Sequence, residues 1–521
     1  PFARSHLSVS LSVSLSSPSN FAIPSPPPSL PRPASSLPPH PPPPFPSPMA
    51  LQTLNPATVS RAPFPLARRH PPQPFPHLPP RRRVAGGGVR PRAAVAVAVS
   101  GAVNEARRRP PQDGGEGKET DLATLGNLCV DVVLSVPCLP PAQREERLAY
   151  MEGLAASPPD QKYWEAGGNC NLAFAAARLG LRCSTLGHVG EEIYGKFLLD
   201  VLEAEGISVV GMLENADVTA CRQAYETLLC WVLVDPFQRH GFCSRADFSK
   251  EPAFSWIRKL PAETKIAIHH SKILFSNGYA FDEFSPDVIA SAIDCAIDAG
   301  TSVFFDPGPR GRSLLNGNRD EQRALEHALR LSDVLLLTSD EAESLTNIGN
   351  PIQAGQELLR RGTRTKWVVI KMGSKGSIMI TESAVSCAPS FKIRVVDTVG
   401  CGDSFTAAIA FGFLHGLSAI STLVLANAVG AATATGCGAG RNVAHLDKVL
   451  NLLRESDLNE EGKTWTELVE GCSVCPEVSV LSKTPVNGSS ERFVNVVPVS
   501  GVVSDLLSML EVAPERSTIQ A

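Results

Sequence analysis

From Asp121 onward, short apolar runs alternate with amphipathic ones. "LATLGNLCVDVVLSV" is apolar and β-branched, broken by Gly126, and predicts a strand, a turn and a second strand. "LRCSTLGHVG", "KILFSNG", "TSVFFDPG", "DVLLLTS" and "KWVVIKMG" have strand length and strand composition. Between them, "NLAFAAARLG", "KFLLDVLEAEG", "SPDVIASAIDCAIDAG", "DEAESLTN" and "IQAGQELLRRG" read as helices. Short buried strands that alternate with helices imply an α/β fold, a mostly parallel central sheet with helices on both faces. Polar residues, Gly and Pro recur just after the strands, where open sheets of this kind place their ligands.

Two regions break the rhythm. "CRQAYETLLCWVLVDPFQRHGFC" alternates apolar and polar positions around a Pro-containing turn, and predicts a small β lid near 221–245, with further lid elements near 131–165. After residue 453 the periodicity fades into "SERFVNVVPVS" and a short apolar helix, "VSDLLSMLEV", so 454–521 reads as a C-terminal appendage to a 121–453 domain.

Composition separates residues 1–120 from this body. Residues 1–104 are rich in Pro and Ser and carry ten arginines and no acidic residue. Proline fixes φ and removes backbone donors, so the segment is expected to be disordered. An acid-free, Arg- and hydroxyl-bearing start has the composition of an organelle transit peptide. Met49 opens "MALQTLNPATVSRAPF", similar to the start of a chloroplast transit peptide, which leaves 1–48 as upstream sequence and predicts a plastid stroma destination; a disordered basic arm for an acidic partner is the rival reading. Without residues 1–104 the formal charge changes from −4 to −14, which argues against nucleic acid as a partner. No apolar run is long enough to span a bilayer. The 13 cysteines lie after residue 104, scattered as in a reduced compartment, and the lone CxxC pair, Cys472 and Cys475, lacks the second pair a zinc site needs.

The chemistry concentrates in "VVDTVGCGDSFTAA". Gly400, Cys401 and Gly402 are small enough to bring consecutive backbone amides to an anion, and the helix starting near Asp403 adds its positive end. Such a nest suits a phosphoryl group in transfer, and Asp403 beside it could take a proton from the attacking hydroxyl. A helix N-cap after a glycine turn has the same local pattern.

"DTVGCGDSF" resembles the DTxGAGD signature of the PfkB (ribokinase-like) carbohydrate kinases, with Cys401 where Ala is usual. "GNLCVD", "GGNCNLAFAAARLG", "GHVGEEIYGKFLLDVLEAEGI", "FDPGPR", "LLLTSDEAESLT", "VIKMGSKGSI" and "ANAVGAATATGCGA" resemble further family segments, in the family's order. The resemblance implies an ATP-dependent phosphotransferase acting on a hydroxyl of a sugar or nucleoside acceptor, with Mg²⁺ as cofactor. It implies Asp403 as base and Gly400, Cys401 and Gly402 as anion hole. Asp131, Gly167, Gly168 and Asn171 would face the substrate. Lys371, Gly373 and Gly376 would lie near the nucleotide phosphates, and Asn427 near the adenine. Glu341 would orient Mg²⁺ through water. Gly436 and Gly438, with Asp397 and Val399, shape the loop that holds a monovalent cation (K⁺) in some relatives. A homodimer through the lid fits the same resemblance.

The family pattern is not complete. Thr338 stands where NxxE has Asn, Gly308 replaces the Asn of D-x-N-x-R while Arg310 is kept, and the Gly167–Asn171 loop is one residue short. Two rival functions stay open: a non-enzymatic plastid assembly or regulatory protein, and a nucleoside kinase. "GEEIYGKF" nearly spells a P-loop, but Phe197 has no hydroxyl for Mg²⁺ and Glu191 and Glu192 would repel phosphate, so Lys196 reads as a surface residue. His240 and Arg245 sit in the lid region, as acceptor contacts or as surface decoration.

Overall fold

The computed structural model describes residues 117–157, 159–212, 226–237, 239–460, 465, 468–469, 477–483 and 494–511. The transit segment with Met49, the CxxC pair and residues 221–225 of the expected lid lie outside the described residues. Fifteen described strands run in chain order as β1 (Thr120–Leu125), β2 (Leu128–Ser135), β3 (Trp164–Gly168), β4 (Cys183–Gly187), β5 (Ser208–Gly211), β6 (Leu228–Val234), β7 (His240–Ser244), β8 (Ser271–Asn277), β9 (Ser302–Asp306), β10 (Val334–Thr338), β11 (Trp367–Lys371), β12 (Ser377–Ile380), β13 (Ala384–Ala388), β14 (Glu477–Ser482) and β15 (Val494–Pro498).

Eleven of them form one sheet in the order β15-β14-β13-β12-β11-β10-β9-β8-β1-β4-β5. Its pairs are parallel except β11–β12 and β12–β13. Side chains alternate faces along a strand, and that alternation divides the core. Ile273 and Phe275 of β8, Val334 and Leu336 of β10 and Val369 of β11 face one layer, which includes the helices Asn169–Arg178, Cys401–His415 and Ala419–Ala434. Leu274, Leu335, Leu337, Val368 and Ile370 face the other, packed by Pro286–Asp298, Arg319–Leu331 and Pro351–Arg361. Apolar-on-both-sides strands thus became the buried middle of a two-sided sheet.

The remaining four strands make the lid sheet, in the order β3-β2-β6-β7. The chain leaves the main sheet for the lid at Gly126 and Asn127, both with positive φ. A Cβ on Gly126 would stand 2.7 Å from the Phe284 ring, so the turn requires glycine there.

Residues beyond 453 correct the expected appendage. β14 and β15 extend the main sheet past β13, and the final helix Val499–Glu511 buries Leu506 and Leu510 on the Ala419–Ala434 and Leu446–Glu455 helices. A sheet edge left at β13 would expose unpaired backbone, and these strands cover it. In the P-loop look-alike, Phe197 is buried, Lys196 is exposed and Glu192 accepts the Thr227 amide, as a surface helix start would have it.

Candidate active site

The helix Cys401–His415 opens at Gly400, whose φ of +76° is the left-handed conformation that turns the chain from loop into helix. The first amides of a helix have no intrahelical partner. Cys401 departs from its expected part, because its amide donates to the Thr398 carbonyl at 3.3 Å and is turned inward. The donors that the helix start presents are therefore better assigned to Gly402 and Asp403. Burial pushes the Cys401 thiol up to about 12, so it packs as a neutral group rather than a nucleophile.

Asp403 lies on the floor of a cavity of about 660 Å³ between the main sheet and the lid. A second cavity, of about 270 Å³, is lined by Lys371, Gly373, Gly376, Phe391, Ile393 and Asn427. Thr398 and Gly402 line both cavities, so the two meet at the nest, one residue from Asp403. Burial raises the Asp403 carboxyl to about 6 and Asp306 adds to the rise, against the opposing pull of Lys371 and Asn171. A carboxylate poised there is matched to proton abstraction near neutral pH.

Asn171, expected to face substrate, lines the larger cavity but spends its amide within the protein: Nδ2 donates to Asp403 Oδ2 at 3.3 Å, and Oδ1 accepts the Gly440 amide at 2.7 Å. It aims the carboxylate. Asp131 also lines that cavity; burial pushes it up to about 7, with Asp403 and Glu165 adding, against the hydrogen bond from the Cys129 thiol at 3.5 Å. Gly168 lines the cavity, whereas Gly167 does not meet it. A Cβ on Gly167 would come within 2.1 Å of Asp131 Oδ1, so this glycine makes room for the aspartate across the lid sheet.

Lys371 bridges the two halves of the site. Its ammonium donates to Asp306 Oδ2 at 2.6 Å. Burial alone would lower its pKa, but Asp306, Glu341 and Asp403 hold it above the ordinary lysine range. Asp306 was not singled out from the sequence, although it is the Asp of "FDPGPR" and ends a strand, where site residues of such sheets lie. Glu341 lines the larger cavity and closes a capping box: its Oε2 accepts the Thr338 amide at 2.7 Å while its own amide donates to Thr338 Oγ1 at 3.3 Å. Thr338, in place of Asn, is thus the helix cap. Burial raises the Glu341 carboxyl, and Asp306 adds to the rise. No cluster of three metal-ligating side chains occurs among the described residues. Mg²⁺ needs none, since it is usually held by one or two carboxylates and the phosphates themselves, and Glu341 fits that.

Asn427 lines the nucleotide-side cavity, but its side chain is committed to Ser377, Ala388 and Pro389 at 2.9, 3.0 and 3.2 Å. Gly438 lines neither cavity; its amide donates to Asp397 Oδ2 at 2.7 Å. Asp397 is buried, and its Oδ1 accepts the Val399 amide at 3.0 Å and stands 2.8 Å from His240 Nε2 of β7. With both oxygens engaged, the arrangement does not fit a resident monovalent cation at Asp397.

Arg310, kept in the family pattern, and several acids that carried no sequence signal complete the larger cavity. Arg310 pairs with Asp282 at 2.8 Å and with Asp247, in the turn after β7, at 3.0 Å, and its guanidinium lies 5.5 Å from the Tyr279 ring. Glu283 accepts the Asn127 amide at 2.8 Å and is pushed by burial to about 8.

A family model described as pfkB family carbohydrate kinase matches residues 142–445. Among curated relatives, the chain is 24% identical to Probable fructokinase-4 of Arabidopsis thaliana, over 65% of this chain and 98% of that protein. It is 28% identical to an ATP-dependent ribose-1-phosphate kinase of Halopiger xanaduensis, over 64% of this chain and 97% of that one. The apo structure of a chain described as Ribokinase II from E. coli superposes with a TM-score of 0.50 at 20% identity, covering 64% of this chain and 99% of that chain, a likeness of fold.

Proposed function

Because the chain belongs to the pfkB family of carbohydrate kinases, we propose that it transfers the γ-phosphoryl group of ATP to a hydroxyl of a neutral sugar or sugar-bearing acceptor, with Asp403 as the base that takes the hydroxyl's proton. The observation that carries this reading is the meeting of the two cavities at Thr398 and Gly402, beside Asp403. An acceptor in the larger cavity and a nucleotide in the smaller would face each other across the helix start. The acceptor hydroxyl gives its proton to Asp403 as its oxygen bonds to phosphorus, and the bond to the β-phosphate oxygen breaks to release ADP. Asn171 holds the carboxylate in line. The Gly402 and Asp403 amides and Lys371 offset the charge on the transferring group. Mg²⁺ arriving with the nucleotide would be held through water by Glu341 and would neutralise phosphate charge.

The acceptor's charge follows from the cavity lining. Asp131, Asp247, Asp282 and Glu283 share the lining of the larger cavity with one arginine, Arg310. Asp247 and Asp282 already offset Arg310, so the lining offers no unpaired arginine to a carboxylated or phosphorylated sugar and supports a neutral polyol, a free sugar or a nucleoside. Turnover is tested with ATP, Mg²⁺ and a panel of neutral sugars, sugar acids, sugar phosphates and nucleosides. Phosphorylation of a neutral acceptor, lost in Asp403→Asn by about 10²- to 10⁴-fold in kcat, is the expected result. A sugar phosphate as the best acceptor overturns the charge argument, and full activity in Asp403→Asn overturns the base.

The acid-free residues 1–104 and the −14 body support plastid import and a small-molecule rather than nucleic-acid partner. Phe237 and Phe242 are exposed on the lid, at 79% and 47%, and support dimerisation through that sheet, which sedimentation velocity would test.

A further inference from the structure

Asp397 is 5% exposed, and a buried carboxylate must be held by donors or by a cation. Its partners come from three separate parts of the fold. The Val399 amide belongs to the loop that ends in the nest, the Gly438 amide to the loop after the helix Ala419–Ala434, and His240 to β7 of the lid. The imidazole is itself largely buried, its side chain 14% exposed, and Nε2 reaches within 2.8 Å of Oδ1. The oxygen lies off the N–H axis, so the nitrogen has no aligned acceptor. Histidine χ2 is a broad torsion, and a rotation of the ring brings the N–H onto Asp397.

We propose that His240 takes, in this chain, the place of an alkali cation at Asp397, so that the lid rather than a bound ion holds the loop carrying the nest. An ion ligated at Oδ1 would compete with the ring nitrogen and the Val399 amide, which already crowd that oxygen. The donor arrives on the strand that closes the acceptor cavity, so lid position and nest geometry are one event: when β7 swings away, Asp397 loses its third partner. The inference rests on the kinase reading for its catalytic consequence but not for its ion consequence. His240 is on this account a positioning residue, acting through Asp397 on the helix start, and the reaction needs no monovalent cation.

The test compares the full chain in potassium chloride and choline chloride at equal ionic strength, by turnover and by melting temperature. For the unaltered protein both readouts are expected to be the same in the two salts, with turnover within about twofold. His240→Ala is expected to lose about tenfold in kcat in choline. Potassium should restore part of that loss and raise the melting temperature of this variant alone. His240→Gln, which keeps an N–H donor, should stay potassium-independent. A potassium response of the unaltered protein, in either readout, overturns the proposal, as does a His240→Ala variant unchanged in both salts. Melting needs no acceptor, so a chain that never turns over still decides the ion question. Should His240→Ala fail to fold, the response of the unaltered protein decides it.

Discussion

At Asp403, burial and Asp306 raise the carboxyl to about 6 while Lys371 and Asn171 pull it back. A base works only when ionised. Thus kcat/KM should fall about tenfold per pH unit below 6 and level off above it, as measured from pH–rate profiles with the best acceptor. Lys371→Met removes the opposing positive charge, so the same inflection should move to higher pH; an unmoved inflection would detach Lys371 from the base. Asp131 and Glu283 titrate near 7 and 8, raised by burial from ordinary values of 3.8 and 4.5. Between those limits the folded protein keeps protons that the unfolded chain has released. Stability should therefore decline as pH rises from about 4 to about 8, and Glu283→Gln should flatten the decline in urea titrations. Residue types and their spacing singled out Asp403, Asp131 and Glu341, which the fold brings to one cavity. The same signal overstated Gly167 and the Cys401 amide, because a glycine that admits a ligand and one that admits a neighbouring carboxylate look alike in a string of letters.

Among the elements, the long regular helices and the central strands of the sheet were legible, since each carries an unbroken apolar period. β12, β13, β14 and β15 were not, although none is shorter than the central strands β9, β10 and β11 by more than a residue. β15 buries no residue and β14 buries only Val478 and Leu481, and such a pattern at the sheet's margin is close to that of a loop. Their partners, not their composition, make them strands. The final helix packs Leu506 at 1% exposure against the core. Leu506→Ala should cost about 2–5 kcal/mol in urea unfolding, as for other large-to-small core changes. A loss near zero would restore the appendage reading. The same segment reaches the nucleotide side, where Asn459 Nδ2 donates to the Ser374 carbonyl at 2.8 Å and the residue lines the cavity.

For the whole molecule, the proposed site is assembled by contacts between distant segments. Asn171 and Asp403 are 232 positions apart and share a hydrogen bond; Arg310 ties the body to Asp247 beside the lid. Double substitution of Asn171 and Asp403 should cost little more in kcat than Asp403→Asn alone, since an aiming residue has nothing left to aim. In plant cells, residues 49–120 fused to a fluorescent protein should mark plastids; a cytosolic signal would remove the import proposal and leave the kinase untouched.

The order of apolar runs and the nest-and-carboxylate motif are local properties, written in neighbouring residues, and they determined the α/β class, the small β lid and the carboxylate proposed as base. Tertiary packing decided which amides the nest still offers, that Asn171 bonds to Asp403, that Asp397 faces His240, and that the C-terminal strands extend the sheet. Periodicity records which side of each element is buried, whereas these pairings depend on the crossing of segments hundreds of residues apart, and no local pattern encodes that distance.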